Sequence, residues 1–399
     1  MNTSNQVLLI HNSLTLSNAK ALQTNKTNAS NIIKFYIYTS TLLMALVFVI
    51  SMMLVPLKEA YAGAVKWHPG HYYTLMSAGK NKSAYMDKVY SELKSTPALR
   101  GLQIRFLWAE LETAENVYDF SAIDKHLNEL ATRKRRLVIQ VQTKSFDPDW
   151  ALVPDYLKAG IYEGGVFAFS SYGADTTIKG YNIKLWNDNV RNRLVKLFRK
   201  LGERYNSHPY FEGIGMIETA LGQPINPITN DQVTSFYDNL LNVHQNMRDF
   251  FPNTMTIQEV NYPRPILESF VGALQAMGTT LSSPDTRLDD PGLSSEGNPY
   301  SPDGIYSYYR KLSGTMPLAP SVMQKNYENT REDGTGYEPT VSELLTFARD
   351  NLNANYIFWT RHQDYYQKVL EMLNWNGQKS TPSGGLNPAC PTAYTSCIN

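Results

Sequence analysis

Three carboxylates stand where parallel strands would end. Between residues 205 and 222 the chain reads Y-N-S-H-P-Y-F-E-G-I-G-M-I-E-T-A-L-G, in which a helical stretch stops at Asn206-Ser207-His208-Pro209, a short apolar strand covers 214–217, and Glu218 follows. Two further apolar runs end in acid, at Glu259 in Q-E-V-N-Y (258–262) and at Asp285 in S-S-P-D (282–285). Sites built on parallel βα units collect at the carboxyl ends of the strands, so an acid there is a catalytic candidate. Each also has a plainer use, as a rim salt bridge or a helix cap.

The elements that must position these acids follow from periodicity. Short apolar runs at 64–68, 101–108, 137–142, 213–218, 255–261, 279–283, 319–326 and 356–360 read as strands. They alternate with amphipathic helical stretches at 82–95, 120–134, 187–204, 231–250, 265–277, 306–312, 341–353 and 365–373. Strands alternating with helices of this length are parallel βαβ units, and eight of them close a (β/α)8 barrel. A doubly wound sheet would need a Gly-rich first turn, which is absent. Asp119 or Ser121 is placed to cap the second helix, and Thr340 with Glu343 makes a capping box for the seventh. The expected catalytic-face barrel spans 63–378. Long excursions at 143–186 and 284–304 follow the third and sixth strands and should build the rim of a cleft. Residues 379–399 read as a mobile tail.

Ahead of the barrel, residues 35–57 carry no charge and lie between the Lys20, Lys26, Lys34 side and Lys58-Glu59. With Ala60-Tyr61-Ala62 before Gly63, residues 1–62 read as a signal peptide with a long n-region. The run is also long enough for one bilayer crossing, so an uncleaved membrane anchor through 35–57 is the competing expectation. Both place the rest outside the cytoplasm, secreted or periplasmic. Removing the four Lys and one Glu of this leader leaves 33 basic and 35 acidic side chains. A surface so near neutrality, without a basic stripe, offers nothing to a phosphate backbone, so no nucleic-acid partner is expected. The two cysteines, Cys390 and Cys397, read as a short local disulfide in an oxidising compartment. His68 and His71 lack a third ligand at zinc spacing, so no metal site is expected, and no Gly-rich phosphate loop is present.

Two segments carry a resemblance. Residues 105–124, R-F-L-W-A-E-L-E-T-A-E-N-V-Y-D-F-S-A-I-D, combine W-x-x-L-E (108–112) with Y-D-F (118–120) and Ile123-Asp124. Residues 191–214, R-N-R-L-V-K-L-F-R-K-L-G-E-R-Y-N-S-H-P-Y-F-E-G-I, lead into the fourth strand. Together they resemble the second βα unit and the approach to the fourth strand in secreted (β/α)8 glycoside hydrolases of the broad clan A type. The resemblance implies that Glu218 is the proton donor to a leaving glycosidic oxygen and that a second carboxylate serves the sugar carbon. The chain departs from that family's pattern at Ile217, where Asn is usual, and near Gln324, where the seventh strand lacks its Glu.

Asp285 or Glu259 can replace the missing acid. Adjacent strands favour the close carboxylate separation of a retaining enzyme, and strands four and six the wider one of an inverting enzyme. Asp285 is preferred, because Pro284 stiffens its approach and a long loop follows it. Sugar recognition needs aromatic faces and hydroxyl-bonding groups. The strand ends offer Trp67, His68, His71, Tyr72, Arg105, Trp108, Gln142, Lys144, Asn261, Tyr262, Gln324, Asn326, Trp359 and Arg361. The expectation is therefore an exported hydrolase of a poly- or oligosaccharide that requires no cofactor. Two rivals stand beside it: an inactive glycan-binding barrel, and an anchored envelope protein in exopolysaccharide handling.

Overall fold

In the computed structural model the chain is described over residues 64–76, 79–171, 173, 176–294 and 302–399. The predicted leader and its apolar run lie outside these residues. Eight parallel strands form the centre: β1 (Gly70–Leu75), β2 (Leu99–Leu107), β3 (Arg136–Gln142), β4 (Phe211–Met216), β5 (Met255–Glu259), β6 (Thr280–Ser282), β7 (Ser321–Val322) and β8 (Tyr356–Thr360). Neighbours pair in chain order, with β8 returning to β1. The ring closes between β6 and β7 through a parallel bridge from Leu281 to Leu318 and hydrogen bonds such as Ala319 N–H to the Leu281 carbonyl at 2.9 Å. Gly101 is required at one seam, because a Cβ there would meet the Arg136 carbonyl at 1.9 Å.

The outer ring consists of α1 (Ser83–Ser95), α2 (Ser121–Thr132), α3 (Asp188–Tyr205), α4 (Asn230–Phe250), α5 (Leu267–Met277), α6 (Tyr306–Leu312), α7 (Val341–Thr346) and α8 (Tyr366–Leu373). The α7 capping box forms as expected, with Thr340 Oγ1 accepting from Glu343 N–H and Glu343 accepting from Thr340 N–H. A π-helical turn at Phe347–Asn351 continues α7. At α2, Asp119 accepts the Ser121 N–H.

The two sharp sequence motifs dock on each other. Glu112 is fully buried and receives Trp108 Nε1 and Tyr156 Oη, each at 2.9 Å, together with the Arg193 guanidinium. Asp124 receives Tyr205 Oη at 2.7 Å and Arg204 Nη2 at 2.6 Å. These contacts fix the loop after β2 and its helix against α3, the helix that leads into β4.

The first strand is shifted from its expected place. Val65–Lys66 does form a short strand, but it pairs with Cys397–Ile398 and lies outside the barrel ring, and β1 begins at Gly70. Three expected sugar ligands therefore belong to the amino-terminal end of the barrel. Trp67 is buried and donates Nε1 to the Pro388 carbonyl at 2.9 Å. His68 is held by Glu212, and His71 Nε2 lies 3.0 Å from the Gly384 carbonyl. The tail is likewise packed, in contrast to the mobility expected of it. Tyr394 is buried edge-on to Trp67, and Cys390 and Cys397 are joined as a disulfide.

Trp108 and Trp359 are also removed from the sugar-facing set. Both are fully buried in the layer between strands and helices, Trp108 bonded to Glu112 and Trp359 donating to His71 Nδ1 at 3.0 Å. Alternation in β8 explains the second case: Tyr356 and Phe358 fill the barrel interior, so the intervening Ile357 and Trp359 face outward. Arg361 is paired with Glu92 of α1.

Glu212 anchors the floor. It accepts His68 N–H at 2.7 Å, Tyr356 Oη at 2.8 Å and His68 Nδ1 at 2.9 Å, with Arg136 at 3.7 Å. Burial alone would raise its carboxyl, but these hydrogen bonds and charges outweigh burial and hold it below the ordinary value. Glu212→Ala strands the groups that donate to it and is expected to cost about 3–5 kcal/mol, read as a lower denaturation midpoint. In the parent, the contribution of Glu212 is present above the ordinary carboxylate pKa and is lost as pH falls through its depressed one.

Candidate active site

The opposite, carboxyl-terminal end gathers the three acids. β4 ends at Met216, and Glu218 follows in the turn with both oxygens bonded: Lys144 Nζ to Oε1 at 2.6 Å and Asn261 Nδ2 to Oε2 at 2.8 Å. Lys144 comes from the first turn after β3 and also donates to the Ala220 carbonyl at 2.8 Å. Asn261, just beyond β5, is itself fixed. Its Oδ1 accepts Tyr262 N–H at 2.8 Å and Ala220 N–H at 3.1 Å, so its amide has one orientation. Neighbouring strands thus aim one side chain each at Glu218, whose own side chain is 15% exposed.

Glu259 is the last residue of β5 and points into the barrel, almost fully buried. Arg105 Nη2 from β2 approaches its Oε1 at 3.5 Å, and Ser321 Oγ from β7 donates to the same atom at 3.3 Å. Burial is the main reason its carboxyl is raised, with the charge of Glu218 adding to it and Arg105 opposing.

Asp285 follows β6. Its Oδ1 accepts Asn326 Nδ2 at 2.8 Å, and Arg287 Nε stands 4.0 Å away. The side chain keeps 23% of its surface exposed. Burial pushes the carboxyl up to about 6, against the Asn326 hydrogen bond and the Arg287 charge, and Glu218 raises it further. That influence of Glu218 on both Asp285 and Glu259 puts the three in one electrostatic neighbourhood. Tyr262, half-buried, joins it: burial first, then the charges of Asp290 and Asp285, lift its phenol to about 12.

Of the expected sugar ligands, Arg105, Gln142, Asn261 and Tyr262 lie at this end, Arg105 and Gln142 buried in the strands β2 and β3. Gln324 does not point inward. β7 is only two residues long, so Gln324 starts the short helix Gln324–Glu328, where its own side chain is exposed and bonds Glu328 at 3.0 Å. Asn326 of that helix turns back instead, accepting Met323 and Thr286 N–H groups while it holds Asp285. Sequence reading offered Lys144 and Asn326 as hydroxyl-binding groups. Their places beside Glu218 and Asp285 were not visible, because both pairings join residues from different strand ends.

The excursion at 143–186 does build a wall here. Its hairpin, Val166–Ser170 with Gly180–Ile183, is extended by Gln223–Pro224 from the turn after Glu218 into a three-stranded antiparallel sheet. Among the described residues, no group of three or more His, Cys, Asp or Glu is arranged to hold a metal ion.

No protein-family model matches the chain, and no curated protein matches it by sequence. Solved structures match in fold. The catalytic domain of the β-amylase from Paenibacillus polymyxa is 10% identical with a TM-score of 0.51, the match covering 78% of this chain and all of that one. The β-galactosidases of Marinomonas ef1 and Bacillus circulans sp. alkalophilus are each 10% identical, with TM-scores of 0.51 and 0.52. The chain has a (β/α)8-barrel fold. The match spans 80% and 77% of it but only 61% and 56% of those two β-galactosidases, so the likeness concerns the barrel. At this identity it is a likeness of architecture, and the chemistry must be argued from the side chains.

Proposed function

We propose that this chain is an exported glycoside hydrolase of a poly- or oligosaccharide, with Glu218 and Asp285 as its two carboxylates. The observation that carries the proposal is the pair itself: two acids from the ends of β4 and β6, at the same end of the barrel, each held by an amide and partly open to solvent. Cleaving an acetal requires a proton for the departing alkoxide and a carboxylate for the cationic sugar carbon, and this pair supplies both. The fold supports the reading, and the apolar leader supports export.

The partner sets divide the roles. Glu218 faces two donors, the Lys144 ammonium and the Asn261 amide, an arrangement suited to a carboxylate that meets positive charge at the anomeric carbon. Asp285 has one amide donor, a more distant cation and a carboxyl pushed up to about 6, which suits the proton donor. Asp285 thus protonates the leaving oxygen, while Glu218 acts as nucleophile or activates water. This exchanges the role that the resemblance implies for Glu218. Glu259, enclosed beneath them with Arg105, is a positioning residue.

A polysaccharide screen with early-time NMR of the anomeric proton tests the reading: a net inverted product makes Glu218 the base, a retained one makes it the nucleophile. Absence of any released sugar, with glycan still bound, would favour a binding barrel. Lys144→Met removes a charge-assisted hydrogen bond worth about 1.5–3 kcal/mol. It is therefore expected to lower kcat/KM roughly tenfold to a hundredfold in initial-rate measurements.

A further inference from the structure

We propose that Phe146 is a stacking platform for a sugar ring of the substrate, on the Glu218 side of the scissile bond. This deepens the hydrolase reading and rests on it. Most aromatic rings that the sequence offered for this task, Trp67, Trp108 and Trp359 among them, are buried and bonded elsewhere. Phe146 is not: it is 55% exposed, two residues beyond the lysine that holds Glu218.

Its surroundings fix it in place. Lys144 Nζ lies over the ring at 4.9 Å from its centroid while also touching Glu218 Oε1 at 2.6 Å, so one ammonium joins the ring to the candidate catalytic carboxylate. The buried Phe169 packs against the ring at 81°, centroids 6.0 Å apart, and Lys144 stands over Phe169 as well, at 4.5 Å. Gly222, in the turn after Glu218, leaves room for Phe169, since a Cβ there would meet that ring at 2.5 Å. A single exposed ring is ordinary on a protein surface, but this one presents its apolar surface beside Glu218, held there by the ammonium that bonds that carboxylate. The C–H face of a pyranose covers such a surface, in the way aromatic side chains present apolar area with defined geometry.

The test uses binding to the Glu218→Gln background, so that no turnover occurs. Soluble starch, xylan, glucomannan, arabinogalactan and carboxymethyl cellulose are the probes, by affinity electrophoresis and then calorimetry on fragments of the glycan retained. Adding Phe146→Ala is expected to weaken binding about tenfold, and Phe146→Trp to restore it. Thermal unfolding should be unchanged, as the side chain is largely exposed. Affinity within twofold of the background in the Ala variant, or binding of none of the probes, overturns the platform. If glycan binding depends on Phe146 but the parent chain releases no sugar, the platform stands and the hydrolase reading falls.

Discussion

Glu218→Gln is expected to lower the rate of glycoside hydrolysis by about a thousandfold, within the range for loss of a positioned acid or base. Gln is nearly isosteric and keeps an oxygen to accept from Lys144, so the Lys144 ammonium, itself buried, retains the Ala220 carbonyl and one further acceptor, at the cost of the hydrogen bond from Asn261 Nδ2, which then faces a second donor. Folding, checked by circular dichroism, and glycan binding should persist. The loss should therefore appear in kcat with KM little changed, the signature of an interaction made in the transition state. Turnover near the parent rate would remove Glu218 from the mechanism.

Asp285→Asn should cost at least about a hundredfold. Its pH behaviour is the sharper test. With a carboxyl at about 6, a proton donor loses its proton as pH rises, so parent activity should fall through pH 6 on the alkaline side. The residual activity of the Asn variant should lack that limb. A rate that instead climbs through pH 6 would make Asp285 the base and return the donor role to Glu218. Stability has its own sign: because the folded state holds this proton more tightly than an unfolded chain with the ordinary value of 3.8, stability falls as pH rises from 3.8 to about 6. Asp285→Asn should flatten that part of the curve of denaturation midpoint against pH. If Glu259→Gln abolished activity while Asp285→Asn did not, the pairing itself would be wrong.

Element type was legible where periodicity was strong. The long amphipathic helices α3 and α4 and the strands β3 and β8 fall within a residue or two of their expected places, because their apolar spacing is dictated by burial on one face or on both. β1 was misplaced for the converse reason. Gly70–Leu75 reads G-H-Y-Y-T-L, whose tyrosines and threonine do not look like a central strand. All six residues are nevertheless buried, with Tyr72 bonded to the His68 carbonyl and Thr74 to Gln103. The neighbouring V-K-W-H has the apolar look of a strand and serves the barrel floor.

The amino-acid sequence alone determined the alternation of strand and helix, the three acids at strand ends, and the two motif segments of the second and fourth units, whose ion pairs Glu112 with Arg193 and Asp124 with Arg204 only the fold brought together. Those properties are local, or are carried by residue types with few other uses. Only the closed ring decided which acids are open to solvent, that Lys144 and Asn261 converge on Glu218 while Asn326 holds Asp285, and which tryptophans are core. Each of these depends on strand register and on the side of the sheet a residue faces. A shift of one residue reverses that side, and the spacing of apolar residues along a doubly buried strand does not specify it.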